Sequence, residues 1–171
     1  HLGSGSYGKV YLGKDTSKND KIVAIKLMDK SLLKHSYLAQ ALDNEINLMK
    51  KVRSPFVVEL FDVFYDSDNI FIITEFCNGG DLRHYLEKKN GSLPEAEAQR
   101  ILSDIMNGLQ EMMKLGIVHR DLKPENVLCN DGIFKIADFG FAKQLQDWKT
   151  QRLNSYVGTP LYMAPQILKH E

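Results

Sequence analysis

The chain is short of several things. Among its 171 residues there are only two cysteines, one tryptophan and five prolines, and 22 Lys+Arg balance 22 Asp+Glu. Zero net charge argues against the broad basic footprint needed to bind nucleic acid or an anionic membrane surface, while leaving room for a local anion site. The longest strongly apolar stretches, around Phe56-Val57-Val58 and Ile70-Phe71-Ile72-Ile73, fall far short of the ~18 residues of a membrane span. Cys77 and Cys129 form no Cys-x-x-Cys, so reduced thiols in an intracellular, cytoplasmic setting are expected rather than a disulfide framework. There is no internal repeat, low-complexity tract, signal peptide or initiator methionine. His1-Leu2 drops directly into a glycine-rich run, which reads as a piece cut from a longer chain. Asn90-Gly91-Ser92 matches a glycosylation sequon, but Asn-Gly is a turn dipeptide and a turn is the expectation.

What remains is ordinary for a globular protein: 43% hydrophobic and 26% charged residues, and a length near that of one domain. Residues 10–12 and 22–27 are β-rich, with a polar turn over 14–21. Leu38, Leu42, Ile46, Met49 and Val52 recur at helical spacing, and Ser54-Pro55 stops that helix. Residues 56–64 and 70–76 read as two strands joined by a turn at Asp66-Ser67-Asp68-Asn69, after which Asn78-Gly79-Gly80 suggests a flexible hinge. Ser92-Leu93-Pro94-Glu95 has the pattern of a capping box opening a helix. Its expected buried stripe is Ala98, Ile101, Leu102, Ile105, Leu109, Met112 and Met113, with the methionines as core filler and Gly116 as the stop. Strands dominate the first half, and a helix with loops the second. The class is α+β rather than repeated βαβ.

Gly3-Ser4-Gly5-Ser6-Tyr7-Gly8 fits Gly-x-Gly-x-x-Gly. A dinucleotide-binding fingerprint would place these glycines after a strand and open a helix, but a strand follows them here. A β-hairpin flap over phosphates fits better, because glycine lets backbone N–H groups approach closely. Val23-Ala24-Ile25-Lys26 puts a lysine late in an apolar strand, where it needs an anionic partner. That partner is either a nucleotide phosphate or Glu45, at the edge of the following helix's apolar stripe.

His119-Arg120-Asp121-Leu122-Lys123-Pro124-Glu125-Asn126 and then Asp138-Phe139-Gly140 complete the set. With the glycine-rich run and Val-Ala-Ile-Lys ahead of them in this order, the chain resembles the eukaryotic protein kinases. The resemblance implies a bilobal α+β fold, with a small lobe over residues 1–76 and part of a larger, mainly helical lobe over 77–171. It implies an enzyme that moves the γ-phosphate of ATP to protein Ser/Thr hydroxyls, with ATP and Mg²⁺ as cofactors and protein substrates as partners. Gly3, Gly5 and Gly8 would cover the phosphates, Lys26 would hold them and Glu45 would position Lys26. Asp138 and Asn126 would bind Mg²⁺, as hard oxygen ligands. Asp121 would orient the substrate hydroxyl and accept its proton, with Lys123 steadying the γ-phosphate. Leu2, Val10, Ala24 and Leu128 would surround the adenine. Thr74 would be the residue ahead of the hinge, Glu75 and Cys77 would offer their backbones, and Asp81 would reach the ribose. Leu60, Met49, His119 and Phe139 would form an apolar column linking the lobes.

Lys123 and Gly158-Thr159-Pro160 are similar to the Ser/Thr type rather than the tyrosine type. Arg120 beside Asp121 goes with activation by a phosphate on the 141–157 segment, with Ser155 as the first candidate and Thr150 the second. The stretches from Lys135 to Lys143 and from Pro160 to Pro165 are similar to the autophagy-initiating, uncoordinated-51-like group, a pattern largely shared by calcium/calmodulin-dependent and polo-type kinases. Two features depart from the family. Ala164-Pro165-Gln166 has Gln where the family has Glu, which removes a charge from an ion-paired anchor. The later helices of the large lobe are absent, so weak activity, poor stability and exposed apolar surface are expected of the piece alone. A non-catalytic nucleotide- or partner-binding fragment is the rival reading.

Overall fold

The computed structural model describes residues 1–5, 8–34, 36–147, 150, 151, 153 and 155–169. Ser6 and Tyr7 at the tip of the glycine-rich run, and Trp148, Lys149, Arg152 and Asn154 in the 141–157 segment, lie outside the described residues. The first part of the chain is an antiparallel sheet with one helix against it. The strands are β1 (Gly3–Gly5), β2 (Gly8–Asp15), β3 (Lys21–Asp29), β4 (Leu60–Tyr65) and β5 (Asn69–Glu75), in the order β1-β2-β3-β5-β4. The hairpin expected of the glycine-rich run is formed, with Gly5 paired to Gly8. Helix α1 (Ser36–Lys51) turns Leu42, Ile46 and Met49 inward, and β5 meets them with Ile70 and Ile72, which alternate with period two. Each such fully buried aliphatic side chain contributes about 1.5–3 kcal/mol relative to exposure.

The strand expected over 56–64 is shorter at its start: β4 begins at Leu60. The preceding residues leave the sheet and cross to a strand further along the chain. Val58 N donates to Ile136 O at 2.9 Å and Ile136 N to Phe56 O at 2.9 Å. Asn78-Gly79-Gly80, expected as a flexible hinge, is hydrogen-bonded to the strand hairpin further along the chain. Gly79 N donates to Cys129 O at 2.8 Å, and the Asn78 amide donates to the Asp131 carboxylate at 2.6 Å.

A short helix that the sequence pattern did not announce, α2 (Leu82–Lys88), follows β6 (Gly80–Asp81), with Asp81 as its N-cap. The long helix α3 (Glu95–Lys114) starts as expected, but no capping box forms. Pro94 is the N-cap, which places Ser92 two residues too early to reach the orphan N–H groups. Its inner face is Ile101, Ile105, Gly108 and Met112, whereas Leu102 and Met113, expected in the stripe, are exposed. The helix ends ahead of Gly116, as anticipated.

Beyond it lie β7 (Ile117–Val118), β8 (Val127–Asn130), β9 (Ile133–Ile136), β10 (Lys143–Gln144) and a one-turn helix α4 (Pro165–Leu168). β8 pairs with β9 and with β6, and β10 pairs with β7. The fold is α+β, a β-rich part and a helical part that share one core through Met49, Leu60, Ile136 and Phe139. No helix among the described residues is long and apolar enough to cross a membrane.

Candidate active site

The pleat of β3 sets Lys26 opposite Val10 on one side and Ile72 on the other. Its Nζ reaches Glu45 Oε1 of α1 at 3.2 Å. Of the two partners the sequence left open, the structure supplies Glu45, which is itself buried. At Gly140 a Cβ would stand 3.2 Å from Asp138 Oδ1 and 3.9 Å from Glu45 Oε2, so these two carboxylates flank one small gap. Asp138 sits in the left-handed region (φ 63°) and Oδ1 accepts from Gly140 N at 3.1 Å, a local turn that holds the carboxylate outward.

Phe139 points the other way into the core, where its ring meets His119 edge-on at 5.8 Å. His119 Nε2 is 2.9 Å from Ala137 O, and Asp121 N donates to its Nδ1 at 3.3 Å. These bonds fix the Nε2–H tautomer. Burial, only partly offset by the Ala137 carbonyl, holds the ring's pKa below its ordinary value, so it is neutral.

Asp121 is the most constrained group. Oδ1 accepts from Thr159 N at 2.8 Å and from Thr159 Oγ1 at 2.7 Å. Oδ2 accepts from Asn126 Nδ2 at 3.0 Å and lies 3.1 Å from Lys123 Nζ. Lys123 Nζ also donates to Thr159 Oγ1 at 2.9 Å, which closes the ring. Burial raises the Asp121 pKa. The Thr159 hydroxyl, the Lys123 ammonium and the Thr159 N–H together outweigh it, and the carboxyl stays below the ordinary range. Asn126 gives both amide hydrogens to Asp121, one to its backbone carbonyl at 2.9 Å. Thr159 was read from the sequence only as part of a motif, and its position after Gly158 in that motif is the signal that could have singled it out.

Around the remaining candidates the picture is mixed. Ala24 is paired with Leu12 and Thr74, and Leu128 packs against Val58, Cys77 and Ala137. Leu2 N donates to Val10 O at 2.8 Å, beside Gly3. Gly8 answers to the sheet itself: a Cβ there would lie 2.3 Å from Leu27 O. The Glu75 N–H is already given to Glu59 O at 2.9 Å, which leaves its carbonyl. Cys77 is buried, with its thiol pKa pushed up to about 12 by burial and by the Glu75 carboxylate. Asp81 is occupied by its own helix, accepting from His84 N at 2.8 Å and lying 2.7 Å from His84 Nδ1.

Arg120 (φ 69°) donates from Nε to Phe141 O at 2.6 Å, while its buried Nη1 has no hydrogen-bond partner among the described residues. Ser155 and Thr150 are exposed, and Thr150 Oγ1 donates to Asp147 at 2.7 Å. Among the described residues no hydrogen bond joins either candidate to Arg120. Gln166 lies exposed in α4.

A β-rich part with a lysine–glutamate pair, and a helical part with an aspartate held by Lys, Asn and Thr, define the kinase class of fold and site. The chain belongs to the family described as protein kinase domain, which matches residues 1–171. Its relatives include CBL-interacting serine/threonine-protein kinase 18 of Arabidopsis thaliana, 37% identical over 98% of this chain and 32% of its own length. Serine/threonine-protein kinase ULK3 of Homo sapiens is 38% identical over 98% of the chain and 35% of its own length. Serine/threonine-protein kinase ATG1a of Arabidopsis thaliana is 35% identical over 99% of the chain and 27% of its own length. The chain thus spans about a third of the length of these curated relatives. The expected uncoordinated-51-like group is represented by ULK3 and ATG1a, at 38% and 35% identity, next to a relative of a different name at 37%.

Proposed function

We propose that this chain carries the nucleotide-binding and catalytic residues of a protein kinase that phosphorylates Ser/Thr hydroxyls. The observation that carries the reading is the closed ring of Asp121, Lys123 and Thr159, with Asn126 on the second Asp121 oxygen, together with a Lys26–Glu45 pair whose Glu45 flanks one gap with Asp138. Small and large lobes, divided near residue 76, are part of the same reading, as is a cytoplasmic setting, which the two buried free thiols support.

The donor set fits ATP and Mg²⁺. Asn126 spends its N–H groups on Asp121, which leaves a hard carbonyl oxygen, and Asp138 turns a carboxylate outward. Bound ATP would supply the γ-phosphoryl group, and Mg²⁺ the charge that neutralises its phosphates. Lys26 binds phosphate oxygens while Glu45 holds its ammonium in place. Val10, Ala24 and Leu128 exclude water from the purine, and the Glu75 carbonyl with the Cys77 backbone orients it. Asp121 accepts the substrate hydroxyl's proton at an oxygen kept ionised by Lys123 and Thr159, help worth about 10²–10⁴-fold. Lys123, two residues on, faces the incoming phosphate. Ser155, then Thr150, are the proposed phosphorylation sites, and the guanidinium of Arg120, whose Nη1 has no hydrogen-bond partner among the described residues, is the cation that would receive that phosphate.

The test is transfer of radiolabelled phosphate from ATP to a Ser/Thr peptide library by the full-length chain. Transfer that Asp121→Asn and Lys26→Met abolish supports the reading. Full activity in both variants refutes the site.

A further inference from the structure

The residues just ahead of the Asp138 carboxylate tie the end of β9 to several neighbours. Ile136 exchanges backbone hydrogen bonds with Phe56 and Val58. Ala137 gives its N–H to Asn126 O at 2.9 Å and its carbonyl to His119. Phe134 and Ile136 turn inward and are fully buried, which forces Lys135, between them, onto the opposite face. In register it stands across from Leu128, so the two side chains share that face. From there Lys135 Nζ reaches Glu75 Oε1 at 2.5 Å, with side chains only 12% and 13% exposed. The pair joins the end of β5 to the strand that leads into Asp138.

We infer that Lys135 is a positioning residue for nucleotide binding. Resting on the kinase reading above, the inference is that its ion pair fixes the purine-binding backbone at Glu75–Cys77 at a set distance from the metal-holding carboxylate. Two ends of one nucleotide then meet two sites already in register. The burial matters. An exposed pair would be loosely held and screened, whereas this one is largely withdrawn from water and directional. Removal of Lys135 leaves the Glu75 carboxylate partly buried, 3.8 Å from the Cys77 thiol, without its cation. The hinge backbone must then shift toward water to solvate it. Nothing in the proton transfer at Asp121 is touched, so the effect falls on nucleotide affinity.

The experiment is a charge cycle on the full-length chain: Lys135→Gln, Glu75→Gln, the swap Glu75→Lys with Lys135→Glu, and Lys135→Arg. ATP Kd is read by calorimetry, with kcat and KM for ATP from peptide phosphorylation and Tm from melting. Lys135→Gln should raise Kd and KM for ATP about tenfold, the middle of the range for contacting charged residues, with kcat within about twofold. Lys135→Arg should stay close to wild type, and the swap should recover part of the loss. Unchanged ATP affinity in Lys135→Gln overturns the inference, as does a loss in every variant, Arg included, that follows Tm alone. If the wild type binds ATP but transfers no phosphate, the catalytic reading fails while Kd still decides this one. If the wild type does not bind ATP, both fail.

Discussion

Thr159 gives both its backbone N–H and its hydroxyl to one oxygen of Asp121, at 2.8 and 2.7 Å. The two residues are 38 positions apart, so the turn just past the 141–157 segment and the loop that carries Asp121 hold each other in place. Thr159→Val keeps the shape and the N–H but removes the hydroxyl that also accepts from Lys123. A hydrogen bond to a charged group is worth about 1.5–3 kcal/mol, so kcat should drop about 10- to 100-fold. The acid limb of the pH–rate profile should move up, because one of the groups lowering the Asp121 pKa is gone. Thr159→Ser should restore both. A Val variant with wild-type kcat would show that the hydroxyl is idle.

One residue earlier, Gly158 has φ +119°, and a Cβ there would lie 2.5 Å from Arg120 O. Gly158→Ala meets backbone strain and a collision with a backbone carbonyl. The cost should be about 3 kcal/mol, the upper end for one strained residue. It should appear as a lower urea midpoint together with faster proteolytic cleavage within 141–157. An alanine variant matching the wild type in both measurements would contradict the geometry.

Lys26, Asp121, Asn126 and Asp138 stood out as candidates because their motifs follow one another in the order that resembles the protein kinases. The helix α1 was legible because Leu42, Ile46 and Met49 recur at 3.6-residue spacing. The partner of Lys26 was not decidable, since Glu45 lies 19 residues away and only packing brings it near. The local rules failed where tertiary contacts won. Ser92 lost the cap to Pro94, and Phe56 and Val58 paired with Ile136 of β9 rather than with β5. Helix α2 was hidden by its length, too short to show a period, although Asp81 ahead of it is a good cap. The Lys135–Glu75 pair joins two parts of the chain that no sequence pattern links.

Helix α3 carries a second apolar row outside its buried face: Leu102, Met106 and Met113 are 59%, 62% and 63% exposed. In the 171-residue chain such a row favours self-association over folding gain. Replacing all three with Lys should leave Tm within a few degrees and reduce light scattering and dye binding at high concentration. Ile105→Ala, on the buried face, should instead cost about 2–5 kcal/mol. Comparable destabilisation by both changes would mean that the outer row is packed.

His119 makes acid stability a further test. Its pKa in the folded chain lies below the ordinary 6.5, chiefly because burial disfavours the charged ring. In the unfolded chain the ring takes a proton near 6.5, and in the folded chain only at lower pH. Between the two values the unfolded state holds more protons, so stability rises with pH there and is lost as pH drops below about 6.5. His119→Phe keeps a ring beside Phe139 but has nothing to protonate, at the expense of the bond to Ala137 O. It should be less stable than the wild type at pH 7.5 and should lose less on going to pH 5.5. Urea titrations at the two pH values check this. Equal losses in both proteins would place the acid-sensitive group elsewhere.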